Sequence, residues 1–306
     1  MTVTSLPYFE AEANKTTTDT MKTALNKFIL SAATSVLIAT NALAGSPSKI
    51  TVKGSDTLVI QAQKWAEIYM NKNVDVKIQV TGGGTGTGFA ALQNQTTDLC
   101  NASRKIRAAE IAECIKAFGK RPTEYKVCLD GLSVYVAAEN PVKELTMDQL
   151  MLIFTGKTKN WKEIGGNDAP ITVYSRENSS GTYEFFKENV LQGKDFAARA
   201  QTMPGTASVL QAVAKDKNGI GYGGAAYGAG AKHLAIKKTD SSPAIEPTED
   251  NVVKGIYPIW RYLFVYVNPA LDKGDIASYL TWIRGDEGQK VVKEVGYFPL
   301  PKHLRE

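Results

Sequence analysis

Histidine is nearly missing from this chain: there are two in 306 residues, His233 and His303. Neither lies in a segment with the local signature of a general base, so a serine such as Ser180 has no evident partner for nucleophilic catalysis. With no CxxC pair, no His-rich tract and no Asp/His cluster, the chain also lacks the ligands of a metal site and of a metal-dependent phosphatase. Cysteine is scarce as well. Cys100, Cys114 and Cys128 exclude a disulfide-dense framework and allow at most one internal bridge. In an oxidising compartment Cys114–Cys128 is the candidate disulfide, closing a loop worth about 3 kcal/mol; three unpaired, partly buried thiols are the alternative. No run of five Lys/Arg occurs and the net charge is only +5, which argues against a nucleic-acid partner and suits a small anionic ligand. The apolar run at 28–40 has 13 residues, too few to span a bilayer.

What is present is an ordinary globular composition, 43% apolar and 22% charged, in a length that suits one large domain or two modest ones. The N-terminal region carries its own message. From Met21, Lys22 and Lys27 precede the apolar stretch 28–40, and Ala42-Leu43-Ala44 supplies an A-x-A site. Residues 21–44 therefore read as a secretory signal peptide cleaved before Gly45. Gly45 and Ser46 follow the site where a lipoprotein would need cysteine, so the expected product is exported to a periplasm without a lipid anchor. Residues 1–20 read as an extension ahead of a true start at Met21.

Beyond residue 45 the chain alternates strand and helix patterns. A short strand at 49–53 leads into Gly54-Ser55-Asp56-Thr57, a turn and N-cap, and then Leu58, Ala62, Trp65 and Tyr69 recur at helical spacing. Val74, Val76, Ile78 and Val80 alternate as in a strand and run into "TGGGTGTGFAAL". A third unit ends its strand at Ala102-Ser103-Arg104, before a helix near 107–117. Thr146 and Gln149 form a capping-box pattern with Gly156 as a stop. "ITVYSRENSSGTYEFFKENVL" is strand, loop and helix; "TASVLQAVAKDKNGIGYGG" is helix and strand. Residues 239–258 read as a loop, and 270–295 as two helices. Strands separated by helices imply a parallel sheet, whose ligands sit beyond the strand carboxyl ends at helix N-termini.

Residues 82–88 hold five glycines in seven positions. No window there satisfies G-x-G-x-x-G, and Phe89 after Gly88 breaks the P-loop pattern. Gly219, Gly221 and Gly224 match the first pattern but follow a helix and form a strand, the reverse of the required context. What remains is a loop of bare amides with hydroxyls at Thr85 and Thr87, suited to an anion or simply to a tight turn. "SRENSSGT" (175–182) adds Arg176, a planar donor fork, and Ser179, Ser180 and Thr182 at a helix start. That segment by itself is equally an N-cap beside a surface arginine.

Taken together, "GSDT" before a helix containing "KWAE", "GGGTGTG", "LIFTGKTKNW", "SRENSSGT" and "NGIGYGG" resemble the phosphate-binding proteins of high-affinity phosphate ABC transporters over roughly 49–300. The resemblance implies an α/β, two-lobed type 2 periplasmic-binding-protein fold with a ligand cleft between the lobes. It places lobe I at 45–137 plus 262–306, taking back the C-terminal helices, and lobe II at 138–261. The implied ligand set is Ser55, Asp56, Thr57 and the Leu58 amide from the first loop, Gly84 and Thr85 from the second, and Arg176, Ser180, Gly181 and Thr182 from the third. Arg104 stands where some members carry an aspartate that accepts the phosphate proton. Arg104 is therefore a candidate ligand or a salt-bridge partner, and Asp56 the candidate acceptor. The implied function is capture of inorganic phosphate for a membrane permease by a monomeric, non-enzymatic protein with no cofactor. Sulfate, molybdate or tungstate binding and a phosphate-sensing surface protein are the alternatives.

Overall fold

The computed structural model describes residues 1–2, 47–228 and 231–305; the signal-peptide segment 21–44 and the extension before it lie almost wholly outside these residues. The account below concerns Ser48–Glu306, which forms one unit of the chain. Its elements in order are β1 (Ser48–Gly54), α1 (Val59–Lys72), β2 (Val76–Thr81), α2 (Thr85–Gln93), β3 (Leu99–Ala102), α3 (Ala108–Phe118), β4 (Thr123–Gly131) and β5 (Ser133–Val136). Then come β6 (Glu144–Thr146), α4 (Met147–Phe154), β7 (Thr172–Arg176), α5 (Gly181–Asn189), β8 (Gln201–Met203), α6 (Gly205–Lys215) and β9 (Gly219–Gly223). The chain closes with β10 (Lys232–His233), β11 (Ala235–Lys237), α7 (Glu249–Val253), β12 (Trp260–Val267), α8 (Gly274–Arg284) and α9 (Asp286–Val295).

Two five-stranded sheets organise these elements, in the orders β2-β1-β3-β12-β4 and β10-β5-β9-β7-β8. In the first, β1 pairs parallel with β2 and β3, and β12 pairs antiparallel with β3 and β4. In the second, β7 lies parallel to β8 and β9. Period-2 alternation sends neighbouring residues of one strand into different cores. Along β12, Leu263, Val265 and Val267 join Trp65, Tyr69 and Tyr279 on one face, while Phe264 and Tyr266 join Phe89 and Leu92 on the other. Helices α8 and α9 return to the first sheet, where the Trp65 indole donates to the Gly288 carbonyl (2.8 Å). The second sheet packs Phe154, Phe186 and Tyr222 in an aromatic cluster on one face and Val209, Leu210 and Val213 of α6 on the other.

The change of sheet falls between β4 and β5. β4 ends in the first sheet at Gly131 and β5 begins in the second at Ser133, so the crossover is Leu132, whose amide donates to the Ile259 carbonyl (2.9 Å) beside the return crossover. The expected Cys114–Cys128 disulfide is not formed. All three cysteines are free and buried. Cys114 lies on α3 in the core that contains Phe89, and Cys128 on β4 in the core that contains Trp65, so two different cores of the first lobe hold them. Burial pushes the Cys114 thiol up to about 11 and those of Cys100 and Cys128 well above their ordinary value.

Candidate functional site

Three loops of the first sheet and one of the second meet at strand carboxyl ends. After β1 comes Ser55-Asp56-Thr57, after β2 Gly82-Gly83-Gly84, after β3 Ser103-Arg104, and after β7 the segment Glu177–Ser180. Thr85 and Gly181 are the first residues of α2 and α5, so two helix N-termini with unpaired amides and positive dipole ends face this junction. Ser180 caps α5, its hydroxyl accepting from the Tyr183 amide (3.3 Å). The Ser55 amide is used in the turn, donating to the Asn101 carbonyl (2.9 Å).

At the centre is a string of four buried hydroxyls. Thr57 Oγ1 lies 2.7 Å from Thr182 Oγ1, Thr182 Oγ1 lies 3.3 Å from Ser103 Oγ, and Ser103 Oγ lies 3.3 Å from Thr85 Oγ1. The Ser103 amide also donates to Thr85 Oγ1 (3.1 Å). Each of these residues is at most 1% exposed. Three hydroxyls come from the first lobe and one from the second. The glycines let the lobes approach. A Cβ on Gly84, at φ +94°, would stand 2.6 Å from the Ser179 carbonyl oxygen, and one on Gly181 would stand 2.5 Å from Thr85 Oγ1. The Gly86 amide donates across the junction to the Ser179 carbonyl (2.9 Å). Part of the glycine density thus serves contact between lobes rather than a turn alone.

Two guanidinium–carboxylate pairs flank the hydroxyls. Arg176 donates to Asp56 Oδ2 (3.0 Å) across the cleft, to Thr206 Oγ1 (2.8 Å) and to Glu177. Burial works against the charge of Glu177, but its hydrogen bonds to Arg176 prevail and hold the carboxyl below the usual range. The other Asp56 oxygen accepts from the Gly83 amide (2.9 Å). On the far side Arg261 holds Asp130 through Nε and Nη2 (3.0 and 2.8 Å), donates from Nη1 to the Ser103 carbonyl (2.9 Å), and from Nη2 to Thr182 Oγ1 (3.0 Å). Asp130 is fully buried and its second oxygen accepts from the Ala225 amide (3.0 Å).

The structure thus brings together Thr57, Gly84, Thr85, Gly181 and Thr182, with Ser55 and Ser180 shaping the turns and Asp56 and Arg176 paired beside them. Arg104 is not brought into this string. Its guanidinium is taken by Glu110 (2.7 and 2.8 Å) and Glu184, and its other face lies over the Phe89 ring, 5.3 Å from the centroid. Burial alone would lower the Arg104 pKa; the two carboxylates reverse this and raise it. Glu184 is itself raised, because burial outweighs the nearby Arg104 and Arg107. The salt-bridge alternative for Arg104 describes its position, and the anion-ligand alternative does not. The residues missed by sequence reasoning are Ser103, Asp130, Thr206 and Arg261. Asp130, a carboxylate inside the apolar run "KVCLDGLSVYV", is a signal that a buried cation must exist; that this cation is Arg261, distant in the chain, is not readable from spacing. Among the described residues no group of three or more His, Cys, Asp or Glu could hold a metal ion.

Comparison with known proteins agrees with this architecture. Residues 39–287 match the model of the PBP superfamily domain. The chain is 36% identical over 279 residues to the phosphate-binding protein PstS of Pseudomonas aeruginosa, covering 86% of each chain. It is 33% identical over 264 residues to protein SphX of Synechococcus elongatus, covering 82% of this chain and 77% of that one. Among solved structures, a putative phosphate ABC transporter substrate-binding protein with bound phosphate from Clostridium perfringens superposes with a TM-score of 0.76 at 28% identity, covering 83% of this chain and all of that one. The two sheets, the cleft loops at their carboxyl ends and these likenesses place the chain in the PBP superfamily, as a member of the family of phosphate-binding proteins.

Proposed function

We propose that this protein captures inorganic phosphate outside the cytoplasmic membrane and delivers it to the permease of an ABC transporter. The observation that carries the reading is the string of buried hydroxyls from both lobes, set between two helix N-termini. Helix N-termini favour an oxyanion, and hydroxyls both donate to its oxygens and accept its proton. Hydrogen bonds to a charged group contribute about 1.5–3 kcal/mol each, so four or five of them supply about 6–15 kcal/mol, a range that brackets the roughly 8 kcal/mol of a micromolar site. The hydroxyls touch one another, so the anion enters by parting of the lobes and is held on their closure.

The finer elements belong to the same proposal. The ligand set is Thr57, Thr85, Ser103 and Thr182 with the backbone amides of Thr85, Gly181 and Thr182 at the two helix starts, and the buried Arg176 supplies charge from beside them. The protein works as a monomer, exported by the segment 21–44 without a lipid anchor. Among the described residues no helix is long and apolar enough to cross a membrane. Calorimetric titration with phosphate, arsenate, sulfate and molybdate tests the reading. Phosphate and arsenate are expected to saturate one site and sulfate to give no response; a stronger response to sulfate or molybdate moves the protein to another oxyanion.

A further inference from the structure

We propose that Arg261 is a positioning residue of the anion site, acting through Thr182. The inference rests on the phosphate reading above. Arg261 is the second residue of β12, just after the return crossover, and is 4% exposed. It alone among the cations described above touches the hydroxyl string: Arg176 is spent on Asp56, Glu177 and Thr206, and Arg104 on Glu110 and Glu184.

The geometry gives Arg261 a specific task. A guanidinium has five N–H donors and no acceptor. Nη2 sends one hydrogen to Asp130 Oδ2 and the other to Thr182 Oγ1, while Nη1 takes the Ser103 carbonyl. Thr182 must therefore accept from Arg261, and its own proton is left to point away, into the string. Without an anion that proton goes to Ser103 or Thr57. With an anion between the lobes, Thr182 is held as a donor to it. Asp130 fixes the plane of the fork through two contacts, and the ring of Phe185, 5.1 Å from the Arg261 carbon, covers one face. Ser103 and Asp130 belong to the first lobe and Thr182 and Phe185 to the second, so the same fork joins the lobes beside the crossover. The pair is nearly neutral as a unit, so Arg261 contributes orientation more than net charge.

The test is a double-mutant cycle read by phosphate titration of the full chain, with the wild-type titration establishing first that phosphate binds at all. Thr182→Val in the wild-type background is expected to weaken phosphate about thirtyfold, the loss of one oriented hydrogen bond to a charged group. In the charge-balanced background Arg261→Gln with Asp130→Asn, which leaves no buried unpaired carboxylate, the same Thr182→Val change is expected to matter less than about threefold. Effects of the two changes that multiply independently would overturn the proposal, since a merely structural Arg261 would not be coupled to one hydroxyl. Should the neutral pair not fold, Arg261→Lys carries the test. It keeps the charge beside Asp130 but lacks the planar fork, and is expected to weaken phosphate about tenfold with an unchanged melting temperature. Arg261→Lys binding phosphate as the wild type does would refute the role.

Discussion

Gly181→Ala is expected to separate binding from folding in this protein. The substituted methyl would stand 2.5 Å from Thr85 Oγ1, 2.9 Å from Ser103 Oγ and 2.9 Å from Thr85 Cβ. Ordinary contacts of this kind begin near about 3.4 Å, so the overlap is roughly 0.5–0.9 Å on three atoms that are themselves buried. Rigid overpacking of that size costs about 1–3 kcal/mol. Here the strain has a direct release, because Gly181 and the residues it would meet belong to different lobes: the cleft opens. The closed state is then disfavoured by about the same amount, which weakens phosphate binding by roughly fivefold to 150-fold. Each lobe keeps its own core, and replacing glycine by alanine where the backbone conformation permits it stabilises by about 0.4–1 kcal/mol. The melting temperature without phosphate is therefore expected to stay level or rise slightly. Calorimetric titration with phosphate, paired with a thermal melt, measures both. Wild-type affinity in the variant would refute the idea that the Gly181 approach to Thr85 and Ser103 is the closed site; lost affinity together with a collapsed melt would mean that the glycine serves folding.

Other outcomes follow from the same contacts. Asp56→Asn is expected to weaken phosphate by about tenfold through loss of the clasp to Arg176, while the phosphate-to-sulfate preference stays constant; a preference that collapses would instead make Asp56 the acceptor of the anion's proton. Arg104→Gln leaves Glu110 and Glu184 without their shared cation and is expected to destabilise by about 3–5 kcal/mol, with anion preference unchanged in a titration; a changed preference would return Arg104 to the site. Glu177 is held below the ordinary carboxyl range by Arg176. Its contribution to stability is then complete above about pH 4.3 and disappears as pH falls through its lower folded value. Glu177→Gln is expected to flatten that acid limb of the unfolding midpoint, and an unaltered limb would count against the pairing. Finally, thiol titration should count three reactive thiols only after unfolding, since all three cysteines are free and buried, and reductant should leave the melt unchanged; a melt lowered by reductant would show a disulfide.

Much of the site was legible because its chemistry lies close together in sequence. Each strand–loop–helix unit carries its own hydroxyl or glycine at the turn, so Thr85 and Thr182 stand out from local pattern, while Thr57 is reached as a ligand only through the family resemblance. The helix spacing in α1 and the alternation before the glycine run foretold the first sheet for the same reason: amphipathic period is a local property. What stayed hidden depends on contacts distant in the chain. Arg261 and Asp130 face each other on the neighbouring strands β12 and β4, but the whole second lobe separates them in sequence. The choice of Glu110 and Glu184 by Arg104 needs the approach of α3 and α5, which neither sequence segment states. The Cys114–Cys128 expectation failed similarly, because loop length says nothing about which core a residue enters.

A crystal structure of the protein grown with phosphate tests the central claim most directly. The account predicts one tetrahedral anion between the lobes, within hydrogen-bond distance of the hydroxyls of Thr57, Thr85, Ser103 and Thr182 and of amides at the start of α5, with Arg104 still bound to Glu110 and Glu184. An anion seated on Arg104, or the four hydroxyls still in contact with one another while phosphate lies elsewhere, would contradict it.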